Sequence, residues 1–133
     1  MTTRVVLFAI LLSSLACSYT PTAPTPFTGP EPQILQGTVY PTGSTPFVLT
    51  MTRPGTLSVT LTTVDPSSTV GLAVGVRNEE RRTCDVTVAV KTRAGSQPQI
   101  TAPISAGEYC VEVSDAGSVT SSGTTFSISV QLQ

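Results

Sequence analysis

The run Thr56-Leu57-Ser58-Val59-Thr60-Leu61-Thr62-Thr63 decides the fold, together with Thr69-Val70-Gly71-Leu72-Ala73-Val74-Gly75-Val76 after the turn residues Asp65-Pro66-Ser67-Ser68. In the first run Leu57, Val59 and Leu61 alternate with hydroxyl residues. In the second, Val70, Leu72, Val74 and Val76 share one face. Period two places successive side chains on opposite faces of a strand, whereas a helix would scatter the same set around its axis.

The alternation continues outward in both directions. Phe47, Leu49 and Met51 share a face within 45–52, ahead of the turn dipeptide Pro54-Gly55. Residues 84–90 alternate again, and 108–114 place Tyr109, Val111 and Val113 inward after Ala106-Gly107. The closing run, 125–132, aligns Phe126, Ile128, Val130 and Leu132, and a short strand falls near 37–40. About 7–8 short strands follow, with no helical period between them. An isolated one-faced sheet leaves its apolar side in water, so the pattern predicts an all-β, antiparallel, jelly-roll-like sandwich over residues 36–133.

The far face of the second run is Gly71, Ala73 and Gly75, which weakens a strand unless something approaches closely. A crossing strand or loop over this face is the expected reason, with a ligand groove as the alternative. The turn that follows, Asn78-Glu79-Glu80-Arg81-Arg82-Thr83, is the most charged point of the chain and a docking point for a partner or a solvated hairpin end.

Ahead of the domain, Met1-Thr2-Thr3-Arg4 is a weakly basic start and 5–12 an unbroken apolar run of eight. That length suits the core of a signal peptide and falls far short of a membrane helix. Ser13-Ser14-Leu15-Ala16-Cys17 then resembles the lipobox of bacterial lipoproteins, with Ser14 where a branched apolar residue is usual. The resemblance implies a signal peptide over 1–16, cleavage before Cys17 and a diacylglyceryl group on its thiol, with palmitate-type acylation of the new amino group. Multiple acyl chains hold firmly where a single one is marginal. Plain secretion with cleavage near Ala16 is the alternative. Ser18 after the Cys points to the outer membrane or cell surface. Residues 17–35 carry Pro21, Pro24, Pro26, Pro30 and Pro32, which predicts a Pro/Thr-rich tether between lipid and domain.

Composition narrows the functions. Charged residues are 11% of 133, the formal net charge is −1, and losing Arg4 with the leader takes it to −2. No basic field exists for nucleic acid. The chain has no His, which excludes imidazole acid–base chemistry and His-ligated metal. Outside the cytoplasm Cys84 and Cys110 are expected to form a disulfide. By parity Cys84 shares a face with Val86 and Val88, while Cys110 opposes Tyr109 and Val111; a bulge, or Cys84 lying in the turn, would reconcile them.

The strand pair from Pro54 to Val76, the cysteine-bearing turn, and the closing run Ala106-Gly107-Glu108-Tyr109-Cys110 through Ser129-Val130 resemble the bacterial pre-peptidase C-terminal domain. That family's Gly-x-Tyr segment is matched by Gly107, Glu108 and Tyr109, and the aromatic that begins its last strand by Phe126. The resemblance implies a jelly-roll-like sandwich in an exported protein. Val70-Gly71-Leu72-Ala73 stands where the family's Asp-Leu-Tyr type motif falls, so a calcium role is not carried over.

No catalytic residue, metal site or cofactor is expected. Glu108 and Glu112 lie on the solvent side of one strand, and Asp65, Asp85 and Asp115 lack the spacing of a calcium loop. The reading is a non-catalytic envelope lipoprotein: its partners are the membrane, through Cys17, and an envelope protein or glycan. A carbohydrate- or extracellular-matrix-binding module is the alternative. That alternative requires an exposed aromatic, for which Tyr40 and Tyr109 are the candidates, or a concave face at Gly71 and Gly75.

Overall fold

A computed structural model of the chain describes residues 25–27 and 30–133; the leader, Cys17 and residues 18–24 lie outside the described residues. The elements are β1 (Thr25–Phe27), β2 (Gln33–Val39), β3 (Ser44–Met51), β4 (Gly55–Asp65), β5 (Val70–Asn78), β6 (Thr83–Thr92), β7 (Ile100–Ile104), β8 (Gly107–Asp115) and β9 (Thr124–Leu132). They form two sheets, ordered β1-β3-β8-β5-β6 and β2-β9-β4-β7. All pairings are antiparallel except β1 with β3. The all-β sandwich read from the sequence is the fold.

Period two explains each layer. Leu57, Val59 and Leu61 of β4 and Ile128, Val130 and Leu132 of β9 are fully buried, and they face Leu49, Leu72, Val74, Val111 and Val113 of the other sheet. Each such side chain contributes on the order of 1.5–3 kcal/mol by leaving water. At one end Phe47 meets Phe126 edge-on, with centroids 6.0 Å apart. Of the connections between strands, only β5–β6 stays within one sheet; every other link crosses the sandwich. Among the described residues this hairpin is the one that joins neighbouring strands, and its turn is the charged 78–83 segment.

One expectation changes, and two features are new. Residues 17–35 are not tether throughout, because Thr25–Phe27 pairs alongside Leu49–Met51 and β2 begins at Gln33. Phe27 is only 1% exposed, so burying its ring outweighs the backbone donor that Pro26 lacks. β7 was hidden because Pro103 breaks the alternation; as an edge strand it tolerates the missing donor. Finally, the loop before β7 closes the edge of β4: Leu61 N donates to Gln99 Oε1 at 2.7 Å, and Gln99 N donates to Val59 O at 3.0 Å.

Candidate functional site

The site is built by the β5–β6 hairpin. Val74 pairs with Val88 but Gly75 pairs with Val86, so Thr87 is the extra residue of a bulge, and its hydroxyl donates to Val74 O at 3.1 Å. The bulge inverts parity below it and turns Cys84 to the outer face with Cys110. The two are disulfide-bonded with Cα atoms 5.9 Å apart. Yet β5 lies between β6 and β8, and strands two apart in a flat sheet are separated by about 9.5 Å. The lower half of β6 therefore rises over β5. Gly75 permits this: a Cβ there would collide with the Asp85 carbonyl and stand 2.8 Å from Val86 Cα.

The lifted hairpin overhangs the outer face of the first sheet and leaves a cleft of about 370 Å³. Its floor is Pro46 and Val48 of β3 with Cys110 and Glu112 of β8; Arg77, Arg82, Thr83 and Cys84 form the wall. Arg77 Nε lies 3.5 Å from Glu79 and 3.7 Å from Glu108, which ties the hairpin base to β8. A hydrogen bond to the Glu79 carboxyl, helped by burial and the Glu79 charge, holds Glu108 above the usual carboxylate range against the pull of Arg77. Arg81 pairs with Asp85 at 3.6 Å, and Asn78 Nδ2 donates to Asp85 at 3.1 Å. Glu112 and Arg82 have no ion pair among the described residues. Arg82 sits in the left-handed region at φ 53°, at the end of the turn.

The other sequence-marked residues do not converge. Asp65 ends β4, Asp85 belongs to the hairpin, and Asp115 accepts the amides of Thr42 (2.9 Å), Gly117 (2.7 Å) and Val119 (3.2 Å). The Thr42 and Gly117 donors, foremost, hold the Asp115 carboxyl below the usual range. Glu108 and Glu112 share the outer face of β8, but Glu108 is engaged by Arg77. Among the described residues no three His, Cys, Asp or Glu side chains are grouped to hold a metal. The Gly71–Gly75 face is covered: the Ser114 hydroxyl fills the space at Gly71 and β6 backbone that at Gly75. Tyr109 is half-buried and its hydroxyl accepts the Ser105 amide at 3.0 Å, whereas Tyr40 is 59% exposed. Pro46 and Val48 were missed as site residues, although their alternation with Phe47 and Leu49 already places them outward.

No protein-family model matches the chain, and no curated protein matches it. Among solved structures it is similar to the Yersinia pseudotuberculosis-derived mitogen YPM, with TM-score 0.54 and 14% identity over 78% of this chain and 87% of that one. It is also similar to Aeromonas hydrophila PliG, described as a periplasmic lysozyme inhibitor of g-type lysozyme, with TM-score 0.52 and 16% identity over 81% and 94% of the two chains. At these identities what is shared is the fold, a sandwich of β-sheets.

Proposed function

We propose that this chain is an exported, non-catalytic protein-binding domain and that the cleft beneath the Cys84–Cys110 hairpin is its binding site. The observation that carries the reading is the pairing of an apolar floor, Pro46 and Val48, with two charges of opposite sign that have no counter-ion among the described residues, Glu112 and Arg82. A desolvated apolar centre inside a charged rim is the arrangement in which a few residues dominate protein–protein affinity. Similarity to an inhibitor of g-type lysozyme, whose target is a protein, supports a protein rather than a small molecule as the partner. In the same proposal Cys17 carries a lipid that holds the domain at the cell envelope, by the outer membrane or on the surface. The Gly-x-Tyr segment and Phe126, which carry the resemblance to pre-peptidase C-terminal domains, fall on β8 and on the core face of β9.

Two measurements test it. The mass of the mature N-terminus, from chain isolated with the membrane fraction, is expected to be that of acylated Cys17; an unmodified N-terminus would remove the anchor. For the site, a stoichiometric complex recovered from envelopes is expected to be lost in Glu112→Lys while the thermal midpoint is unchanged. A complex indifferent to Glu112→Lys would place binding elsewhere.

A further inference from the structure

The outer face of the second sheet differs in character from the cleft. Ser127 and Thr125 of β9 align with Gln36 and Thr38 of β2 on one side and with Thr63 and Asp65 of β4 on the other. Around them lies a shallow concavity of about 410 Å³ whose lining carries no charged side chain. Tyr40 lies two residues beyond Thr38 of that lining. Its ring and the Thr38 methyl rest on the same residue, Gly123, where a Cβ would come within 2.9 Å of each. Gly123 has φ +89°, so the missing side chain and the backbone turn together seat the ring. Tyr40 is thereby fixed from beneath while 59% exposed.

We infer that Tyr40 and this concavity form a binding site for a neutral oligosaccharide, separate from the protein-binding cleft on the opposite sheet. A sugar ring offers an apolar C–H face and a rim of hydroxyls. The exposed phenol ring supplies the apolar surface with little conformational freedom left to lose. The Gln36 amide supplies both donor and acceptor, the hydroxyls of Thr38, Thr63 and Ser127 supply either, and that of Thr125, which donates to Asp65 O at 3.2 Å, supplies an acceptor. Gln36 is already oriented, its Nε2 donating to Ser127 Oγ at 3.1 Å, and its carbonyl oxygen is left for a ligand. The Asp65 carboxylate, exposed at the rim and without an ion pair among the described residues, accepts from hydroxyls and repels acidic chains. The uncharged lining gives an ionised sugar no partner, and this carboxylate disfavours an acidic one. Two aligned rows about 7 Å apart, across three strands each about 4.8 Å from the next, give a patch about two sugar rings long.

The test is a ¹⁵N NMR titration of the full chain in a non-glycosidic detergent with cellohexaose, maltohexaose and N-acetylchitohexaose. At least one of the three is expected to shift the amides of 36–40, 63–65 and 123–127 and to leave the cleft amides of 47, 48 and 82–84 unmoved. Tyr40→Ala is expected to weaken that binding about tenfold or more, with Tyr40→Phe close to the parent. Gln36→Ala, at an exposed site that leaves the fold intact, gives a second loss. No shift of these amides by any probe at about 10 mM, or a Tyr40→Ala protein that binds as the parent does, would overturn the assignment. Shifts confined to the cleft would do the same.

Discussion

The α-carbon of Gly75 lies directly beneath the Asp85 carbonyl, so that β6 crosses over β5 at a position where no side chain intervenes. Through this contact Cys84 reaches Cys110 across an intervening strand, and the cleft acquires its overhanging wall. Gly75→Ala is expected to push the crossing backbone away and to destabilise the protein by about 1–3 kcal/mol, the usual cost of overpacking against atoms that cannot yield. Urea denaturation checks this. Gly71→Ala is the control, since the atom in its way is a Ser114 hydroxyl that can rotate.

Removing the bridge acts mainly on the unfolded chain. The loop from Cys84 to Cys110 spans 26 residues, which corresponds to about 3.5 kcal/mol in the chain-entropy treatment. Cys84→Ser/Cys110→Ser is expected to lose about that much by chemical denaturation, and hydrogen exchange is expected to rise most in 77–86, at the hairpin end.

The N-terminal edge gives a third expectation. Phe27 is 1% exposed although it lies in a proline-rich stretch. Phe27→Ala is expected to cost about 3–5 kcal/mol, the range for emptying a buried aromatic position. If residues 25–27 were only spacer, the unfolding midpoint would not move.

Two carboxylates give opposite pH dependences. Asp115 is held below the usual range by the Thr42 and Gly117 amides. Its contribution is therefore complete above the unfolded value, about 4, and is lost as pH falls through the depressed folded value. Glu108 is held above its usual range by Glu79, so the increment tied to its protonated form exists at acid pH and disappears as pH rises through the folded value. Asp115→Asn is expected to flatten the acid side of the stability profile. Glu79→Gln is expected to bring Glu108 back toward the ordinary range. Carboxyl ¹³C titrations read both directly.

The sandwich was legible because Leu57–Leu61 of β4 and Phe126–Leu132 of β9 alternate without interruption, and burial of one face of each requires a second layer. Legibility failed where tertiary contact overrode local signal. The Thr25–Phe27 edge strand pairs in parallel with β3 and is held by one buried ring, and Pro24 and Pro26 argue against any strand there. The Cys84 parity conflict was visible, but its resolution at Thr87 depends on the close approach at Gly75. The floor of the cleft needed sheet order as well as period: Pro46 and Val48 alternate outward in the sequence, but only the placement of β8 between β3 and β5 brings them beside the disulfide. Tyr40 was singled out by type, and Gly123 beneath it by nothing local.

The central claim, a protein partner seated in the cleft, is tested most directly by photo-crosslinking from within it. A photoreactive residue in place of Val48, on the floor, is compared with one in place of Ser129, on the opposite sheet, in the full chain in its native envelope. One discrete protein adduct is expected from position 48 and none from 129. Loss of that adduct is expected when Arg82→Glu or Glu112→Lys is added, with stability changed by no more than about 0.5 kcal/mol at these surface positions. No adduct from position 48, the same adduct from both positions, or an adduct indifferent to both charge reversals would contradict it.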